Sequence, residues 1–275
     1  MKTLTEYRNT ATPHLLPILT EHAAPDTAIN FSVLINIIAH PCAATFSDGE
    51  EILICHSGNP FPVWVYAKEP CTAETASVIA DCLEKYFPLS EGFHYNLTST
   101  LYRTLCDADS RIASSHVKME LISHRLDAIN DILHPCDGGV FRPREDEIPY
   151  LTRLWHDLSM EMEGFDHPED FCRDKVCRLM ETGSLYVWRN GDGEITALTS
   201  RGTYANTYGK VSSVYTLPAY RRRGYAINLV HYVTQTILRD GLVPILYTDG
   251  GYAASNACYA KIGYREVGHL CTVKK

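Results

Sequence analysis

The chain has 275 residues and a mass of 30.9 kDa, is 45% hydrophobic and 21% charged, and carries a formal net charge of -8. That length allows one large domain or two ordinary ones, and the balance excludes a disordered chain. The acidic sum argues against a general nucleic-acid binder, so any basic cluster needs a local reason.

Ten cysteines (42, 55, 71, 82, 106, 136, 172, 177, 258 and 271) are scattered without a C-x-x-C pair. The opening MKTLTEYR is not followed by an apolar signal-peptide region, and no run approaches the roughly 18 apolar residues of a membrane span. These features predict free thiols, mostly buried, in a reducing cytoplasmic compartment. They also predict no disulfide framework, no metal site and no membrane insertion.

In chain order, residues 25–40 read as a helix ended by Pro41. Residues 51–56 and 61–67 read as strands joined by a Ser57-Gly58-Asn59-Pro60 turn. Residues 72–87 form a helix opened by Cys71 or Thr72 and followed by Pro88. Apolar residues every three or four positions suggest another helix from Arg111 to Asn130. The Gly-, Pro- and charge-rich stretch 136–149 reads as a connector. The expected domains are therefore 1–140 and 141–275, both α/β, with no repeat visible by eye.

Beyond the connector, residues 148–162 and 169–181 read as helices, the second closed by Gly183. Residues 184–189 and 194–201 read as a hairpin about an Asn190-Gly191 turn. Lys210 to Thr216 is a strand, Tyr225 to Asp240 a helix ended by Gly241, and residues 242–249 a buried strand. Ser255 to Ile262 is a short helix stopped by Gly263, and a final strand begins at Tyr264. This order predicts a mixed sheet flanked by helices.

The chemistry concentrates in VSSVYTLPAYRRRGYA, residues 211–226. A strand ends at Thr216, and Arg221-Arg222-Arg223-Gly224 leads into a helix. Free N–H groups at a helix start favour an anion, Gly224 removes a Cβ from the approach, and arginines add forked donors. The stretch is thus a phosphate or pyrophosphate cradle, or an exposed basic turn. It lacks G-x-G-x-x-G and the G-x-x-x-x-G-K-S/T pattern.

Arg221-x-x-Gly224-x-Ala226 resembles the R/Q-x-x-G-x-G/A signature of the GNAT acyltransferase superfamily. Residues 246–268, YTDGGYAASNACYAKIGYREVG after Leu246, also resemble that family. The close match spans roughly the last 65 residues, and the elements from about Ile148 onward are compatible with a complete GNAT domain. The resemblance implies an α/β GNAT fold with an additional α/β N-terminal domain, itself a possible degenerate GNAT-like half. Two departures are Ala219, where an acidic residue is common, and Gly250-Gly251 before Ser255.

What the resemblance implies is an acetyl-CoA-dependent N-acetyltransferase with direct transfer to a small-molecule or protein amine. The cofactor-binding residues are then Val214, Tyr215, Thr216, Arg221, Arg222, Arg223, Gly224, Tyr225, Ala226, Ser255, Asn256 and Tyr259. The backbone N–H of Val214 or Tyr215 steadies the oxyanion. Tyr259 protonates the leaving thiolate. Glu163, with Glu161 as an alternative and His156 nearby, is the candidate base; a water chain is another. Cys258 reads as a buried thiol, because no His/Asp arrangement can be argued around it. A non-catalytic acyl-CoA sensor or assembly protein is the alternative. Nucleic acid is not an expected partner, and the chain is expected to be a monomer or homodimer.

Overall fold

The computed structural model describes residues 2–275 apart from His22, Pro25, Ile132, Leu133, Glu163 and Phe165. The chain divides into two compact units. The first comprises Met1–Arg125, Tyr247–Asn256 and Glu266–Lys275; the second comprises Leu126–Leu246 and Ala257–Arg265.

The first unit opens with β1 (Thr5–Thr10) and three short helices, α1 (Pro17–Thr20), α2 (Thr27–Asn30) and α3 (Ser32–Ile38). Strands β2 (Cys42–Ser47), β3 (Ile52–His56) and β4 (Val63–Ala67) follow. Then come α4 (Ala73–Tyr86), β5 (Tyr95–Thr98), α5 (Ser99–Ala108), α6 (Ser110–Ala113) and β6 (His116–Leu126). Strands β1 to β4 pair antiparallel in sequence, and β4 pairs β5 in parallel. The amphipathic α4 buries Ile79, Ala80 and Leu83 against Ile52, Ile54, Val63 and Val65.

Two sequence expectations fail here. The helix expected over 25–40 is broken into α2 and α3 at Phe31, whose φ of -111° leaves the helical region. The helix expected over 111–130 is mostly strand β6. Asp109 caps only the single turn of α6, its carboxylate accepting from the Arg111 N–H at 2.8 Å. Ile122, Ser123 and His124 are consecutively buried, so both faces of β6 are covered. An apolar spacing that suits a helix is here satisfied by tertiary burial of a strand.

The second unit starts with β7 (Gly139–Phe141), inside the stretch expected to be a connector. Its residues pair with Arg189, Trp188 and Val187, so a short edge strand hides among the Gly and Pro residues. Helices α7 (Ile148–Met162) and α8 (Glu169–Glu181) follow, then β8 (Leu185–Arg189), β9 (Ile195–Tyr204) and β10 (Tyr208–Thr216). Helix α9 (Tyr225–Arg239), β11 (Val243–Asp249), α10 (Ala253–Ile262) and β12 (Tyr264–Lys274) complete the chain. Strands β7 to β10 pair antiparallel in sequence, and β10 pairs β11 in parallel.

The same order therefore occurs twice along the chain: strand, helices, three strands, helix, strand, helical segment, strand. The last strand is shared out unevenly, because Leu270–Val273 of β12 pair antiparallel with Thr98–Tyr95 of β5. In the second unit one core packs α9 (Leu229, Val230, Val233, Ile237) onto Val211 and Leu246. Another packs α7 and α8 (Leu154, Leu158, Val176) onto Val187 and Leu198 on the opposite face. Gly209 permits the close approach of α9, since an added Cβ would overlap the Ile237 side chain.

The cysteines are free, and half of them are buried: Cys42, Cys55, Cys82, Cys172 and Cys271. The other five are partly exposed, fewer buried thiols than the composition suggested. No helix among the described residues is long and apolar enough to cross a membrane.

Lys210 is buried at 6% exposure, with its ammonium 5.5 Å from the Tyr204 ring centroid. Burial pulls its pKa down to about 7. The unfolded chain keeps that proton up to about pH 10, whereas the folded chain releases it near 7. The unfolded state then binds more protons across this window, so stability rises with pH through it. Lys210→Met is expected to abolish that rise, which amounts to at most about 1.4 kcal/mol per pH unit. Urea unfolding at a series of pH values checks this; parallel curves for both proteins would contradict it.

Candidate functional site

Strand β10 is irregular where the cradle begins. Its register with β9 runs from Tyr208↔Tyr204 to Ser212↔Ser200, then resumes at Tyr215↔Leu198. Three steps on β10 oppose two on β9, which is a bulge with one extra residue. Ser213 sits within it at φ +54°. The extra residue also reverses which face each side chain meets. Val211 packs with α9, but Tyr215, four residues later, packs with α7 and α8. The Ser212 carbonyl accepts from Thr199 Oγ1 at 2.9 Å and Ser200 Oγ at 3.3 Å.

The other edge of β10 parts from its neighbour. Pairing with β11 covers Tyr208–Lys210 against Val243–Ile245 and goes no further. Residues 211, 212, 215 and 216 thus have a ladder partner on one side only, and residues 213 and 214 have none, among the described residues. Val214 and Thr216, partly buried, lie in this half-paired segment.

From Thr216 the chain makes a 3-10 turn at Pro218–Tyr220 and enters α9 at Gly224. Gly224 is the N-cap in a left-handed conformation, φ +87°, and has no side chain with which to cap. The N–H groups of Tyr225, Ala226 and Ile227 begin the helix and have no carbonyl a turn earlier within it. Together with the helix dipole they favour an anion.

The three arginines are exposed and differ in their surroundings. Arg221 Nε donates to the Thr216 carbonyl at 3.0 Å, and its Nη2 meets Glu161 Oε2 at 2.6 Å. Arg223 lies 5.3 Å from the Tyr220 ring centroid. Arg222 holds φ +62°. Tyr220 donates to Glu194 at 2.6 Å and Tyr215 is buried. The buried Tyr215 ring is not an open platform of the kind a nucleobase stacks on.

The segment just before β7, connector-like in sequence, anchors the helix start. Asp137 accepts from Tyr225 Oη and from the Gly191 N–H, both at 2.6 Å, and its carbonyl accepts from Trp188 Nε1 at 3.0 Å. The Tyr225 hydrogen bond, first, and the Gly191 N–H hold the Asp137 carboxyl below its ordinary range. Asn228 accepts from the His134 N–H and donates to the His134 carbonyl. His134 also crowds the cap: a Cβ added at Gly224 would lie 3.0 Å from the His134 Cβ. Gly224 therefore serves this packing as well as any approaching ligand. Asp137 beside a Gly-Gly pair carried no sequence signal for this role.

Tyr259 belongs to the second unit and is buried among Ile262, Tyr264 and the α9 core, 6.3 Å ring to ring from Tyr264. Burial raises its pKa above the ordinary phenol value, so the proton stays on Oη at neutral pH. Ser255 and Asn256 fall in the first unit. Asn256 Oδ1 is buried without a hydrogen-bond partner, while its Nδ2 reaches the Asp249 carbonyl at 3.4 Å. An orphaned buried acceptor calls for a donor that the described residues do not supply. Burial pushes the Cys258 thiol up to about 11, which keeps it protonated and unreactive.

Glu163 lies outside the described residues. Glu161, on α7, pairs with Arg221. His156 Nε2 lies 2.9 Å from Asp166, whose hydrogen bond, first among the causes, raises the imidazole pKa. A raised pKa favours the charged ring, which cannot accept a proton.

The first unit offers an internal contrast. Helix α4 likewise follows a strand, β4, but its N-cap is Thr72, whose hydroxyl accepts from the Thr75 N–H at 3.2 Å. The position an anion would take at α4 is filled by the chain's own oxygen. At α9 it is not.

The residues present fit a coenzyme A diphosphate: an uncapped helix start, a left-handed glycine cap and adjacent arginines. A family model described as "FR47-like protein" matches residues 181–273. The chain is similar in structure to a GCN5-related N-acetyltransferase from Sphaerobacter thermophilus, with TM-score 0.69 at 13% identity, covering 99% of this chain and 95% of that one. It is also similar to an acetyltransferase from the GNAT family of Colwellia psychrerythraea, with TM-score 0.65 at 12% identity and 98% of each chain covered. A third similar structure is a tandem GNAT protein from the clavulanic acid biosynthesis pathway, with TM-score 0.60 at 10% identity and 98% of each chain covered. No curated protein matches. The chain has the GNAT fold, with two GNAT-like halves.

Gly224→Val is expected to destabilise the chain by about 1–3 kcal/mol, because a branched residue is strained at positive φ and meets His134. Chemical denaturation checks this, and an unchanged midpoint would contradict the packing described for the cap.

Proposed function

We propose that this chain is an acetyl-CoA-dependent N-acetyltransferase acting by direct transfer to an amine, with transfer assigned to residues 141–275. One observation carries the reading. Strand β10 bulges, loses its β11 partner after Lys210, and leads into a helix whose glycine N-cap leaves the first N–H groups uncapped. The family model covering 181–273 supports it over this same region.

When bound, acetyl-CoA supplies an acyl group already activated as a thioester. The N–H groups of Tyr225 and Ala226, with the arginines before them, would hold the diphosphate, and Gly224 would keep the approach open. The half-paired edge Val214–Thr216 offers backbone groups to the pantetheine arm. The N–H of Val214 or Tyr215 steadies negative charge developing on the acyl oxygen. Tyr259 donates a hydrogen bond from its protonated Oη to the departing sulfur. Its buried state suits it to hold that proton rather than to release it early. The amine must arrive neutral, and Glu163 or water takes its proton. Protein or small-molecule amines both fit this chemistry.

Calorimetry with acetyl-CoA, followed by thiol release across an amine panel, tests the reading. Saturable binding with turnover on at least one amine is expected; absence of binding would sink it. Binding with no turnover on any amine favours an acyl-CoA sensor instead. Tyr259→Phe is expected to lower kcat by about a hundredfold while the cofactor dissociation constant stays put. Unchanged kcat removes Tyr259 from the chemistry.

A further inference from the structure

Three adjacent arginines invite a single role, but their contacts divide them. Arg221 is gripped on three sides: Nε by the Thr216 carbonyl at 3.0 Å, Nη2 by Glu161 at 2.6 Å, and Cζ 5.8 Å from the Tyr215 ring. Those contacts come from the end of β10 and from the last turn of α7. Arg223 faces Tyr220. Arg222 makes no hydrogen bond, ion pair or ring contact among the described residues and is exposed.

A guanidinium is planar, and its donors point in fixed directions. Once Nε and Nη2 are committed toward β10 and α7, that fork is no longer free to close on an outside anion. Arg222 keeps its whole fork. Its positive φ sets its backbone apart from both neighbours, two residues before the α9 cap.

We infer that Arg221 and Glu161 form a strut bracing the cradle from α7, and that Arg222 is the side chain that meets the anion. The inference rests on the coenzyme A reading of the cradle. Glu161 is then a positioning residue rather than a base: it holds Arg221, and Arg221 holds the loop whose N–H groups face the diphosphate. The sign of one substitution separates this from plain electrostatics. Removing a carboxylate near an anion site strengthens anion binding if only charge matters. Removing the foot of a strut weakens it.

The test measures coenzyme A, ADP and pantetheine binding to the full chain by calorimetry. Glu161→Gln is expected to weaken coenzyme A and ADP about three- to tenfold and leave pantetheine, which lacks the diphosphate, unaffected. Arg221→Met is expected to match it on coenzyme A and ADP, and the double variant to be no weaker on these two than either alone. Arg222→Met is expected to weaken both anions about tenfold or more, to add to Glu161→Gln, and to flatten the salt dependence. Tighter anion binding by Glu161→Gln, or additive losses at 161 and 221, would overturn the strut. An unchanged salt slope for Arg222→Met would overturn the assignment of the anion to Arg222. Should Glu161→Gln not fold, Glu161→Asp keeps the charge, shortens the reach and is expected to move affinity the same way. Failure of the unaltered chain to bind coenzyme A would overturn the cofactor reading and the strut together, whereas failure confined to the variants overturns only the strut.

Discussion

The extra residue at Ser213 is the constraint from which the candidate site follows. A strand has a side-chain period of two, so one inserted residue exchanges its faces. Before it, β10 commits Val211 to the α9 core; after it, Tyr215 enters the α7 and α8 core. The strand could not serve both layers in this order without the insertion. The same stretch is where pairing with β11 has already stopped. Backbone groups that a regular ladder would consume are left available at the position leading into the cradle.

The helix start is held from a direction that the cradle motif does not contain. Asp137, His134 and Asn228 tie the segment before β7 to the first two turns of α9. The cap glycine is thus fixed between a conformational demand, φ +87°, and a steric one, the His134 Cβ. A helix N-terminus fixed in this way pays little reorganisation when an anion arrives, which is what preorganisation means physically. The contrast with α4 is instructive. Threonine at its N-cap satisfies the helix from within and closes the same position to a ligand.

Much of the second half was legible because its signals are local. The Asn190-Gly191 turn, the glycines after α8, α9 and α10, and the amphipathic spacing of α7 and α9 each state a backbone geometry within a few residues. The Arg221-x-x-Gly224-x-Ala226 spacing likewise lies in one loop. The failures share a different cause. Residues 111–130 have a helix-like apolar spacing, yet Ile122, Ser123 and His124 are buried in succession along strand β6. Strand β7 exists only because β8 offers it a ladder. Nothing near Glu161 in the sequence signals that Arg221, sixty residues later, is its partner.

By itself the sequence determined the elements of the C-terminal half, the loop that favours an anion, and the resemblance that names acetyl-CoA. Those are written in short-range patterns of turn residues, caps and periodicity. Tertiary structure alone decided that β10 bulges at Ser213, that the strand, helix and loop order occurs twice, and that the last strand pairs with β5. It also decided that Arg221 is engaged while Arg222, among the described residues, is not. Each of these depends on which distant backbone or side chain supplies the partner, and a partner's identity is set by packing rather than by the residues on either side.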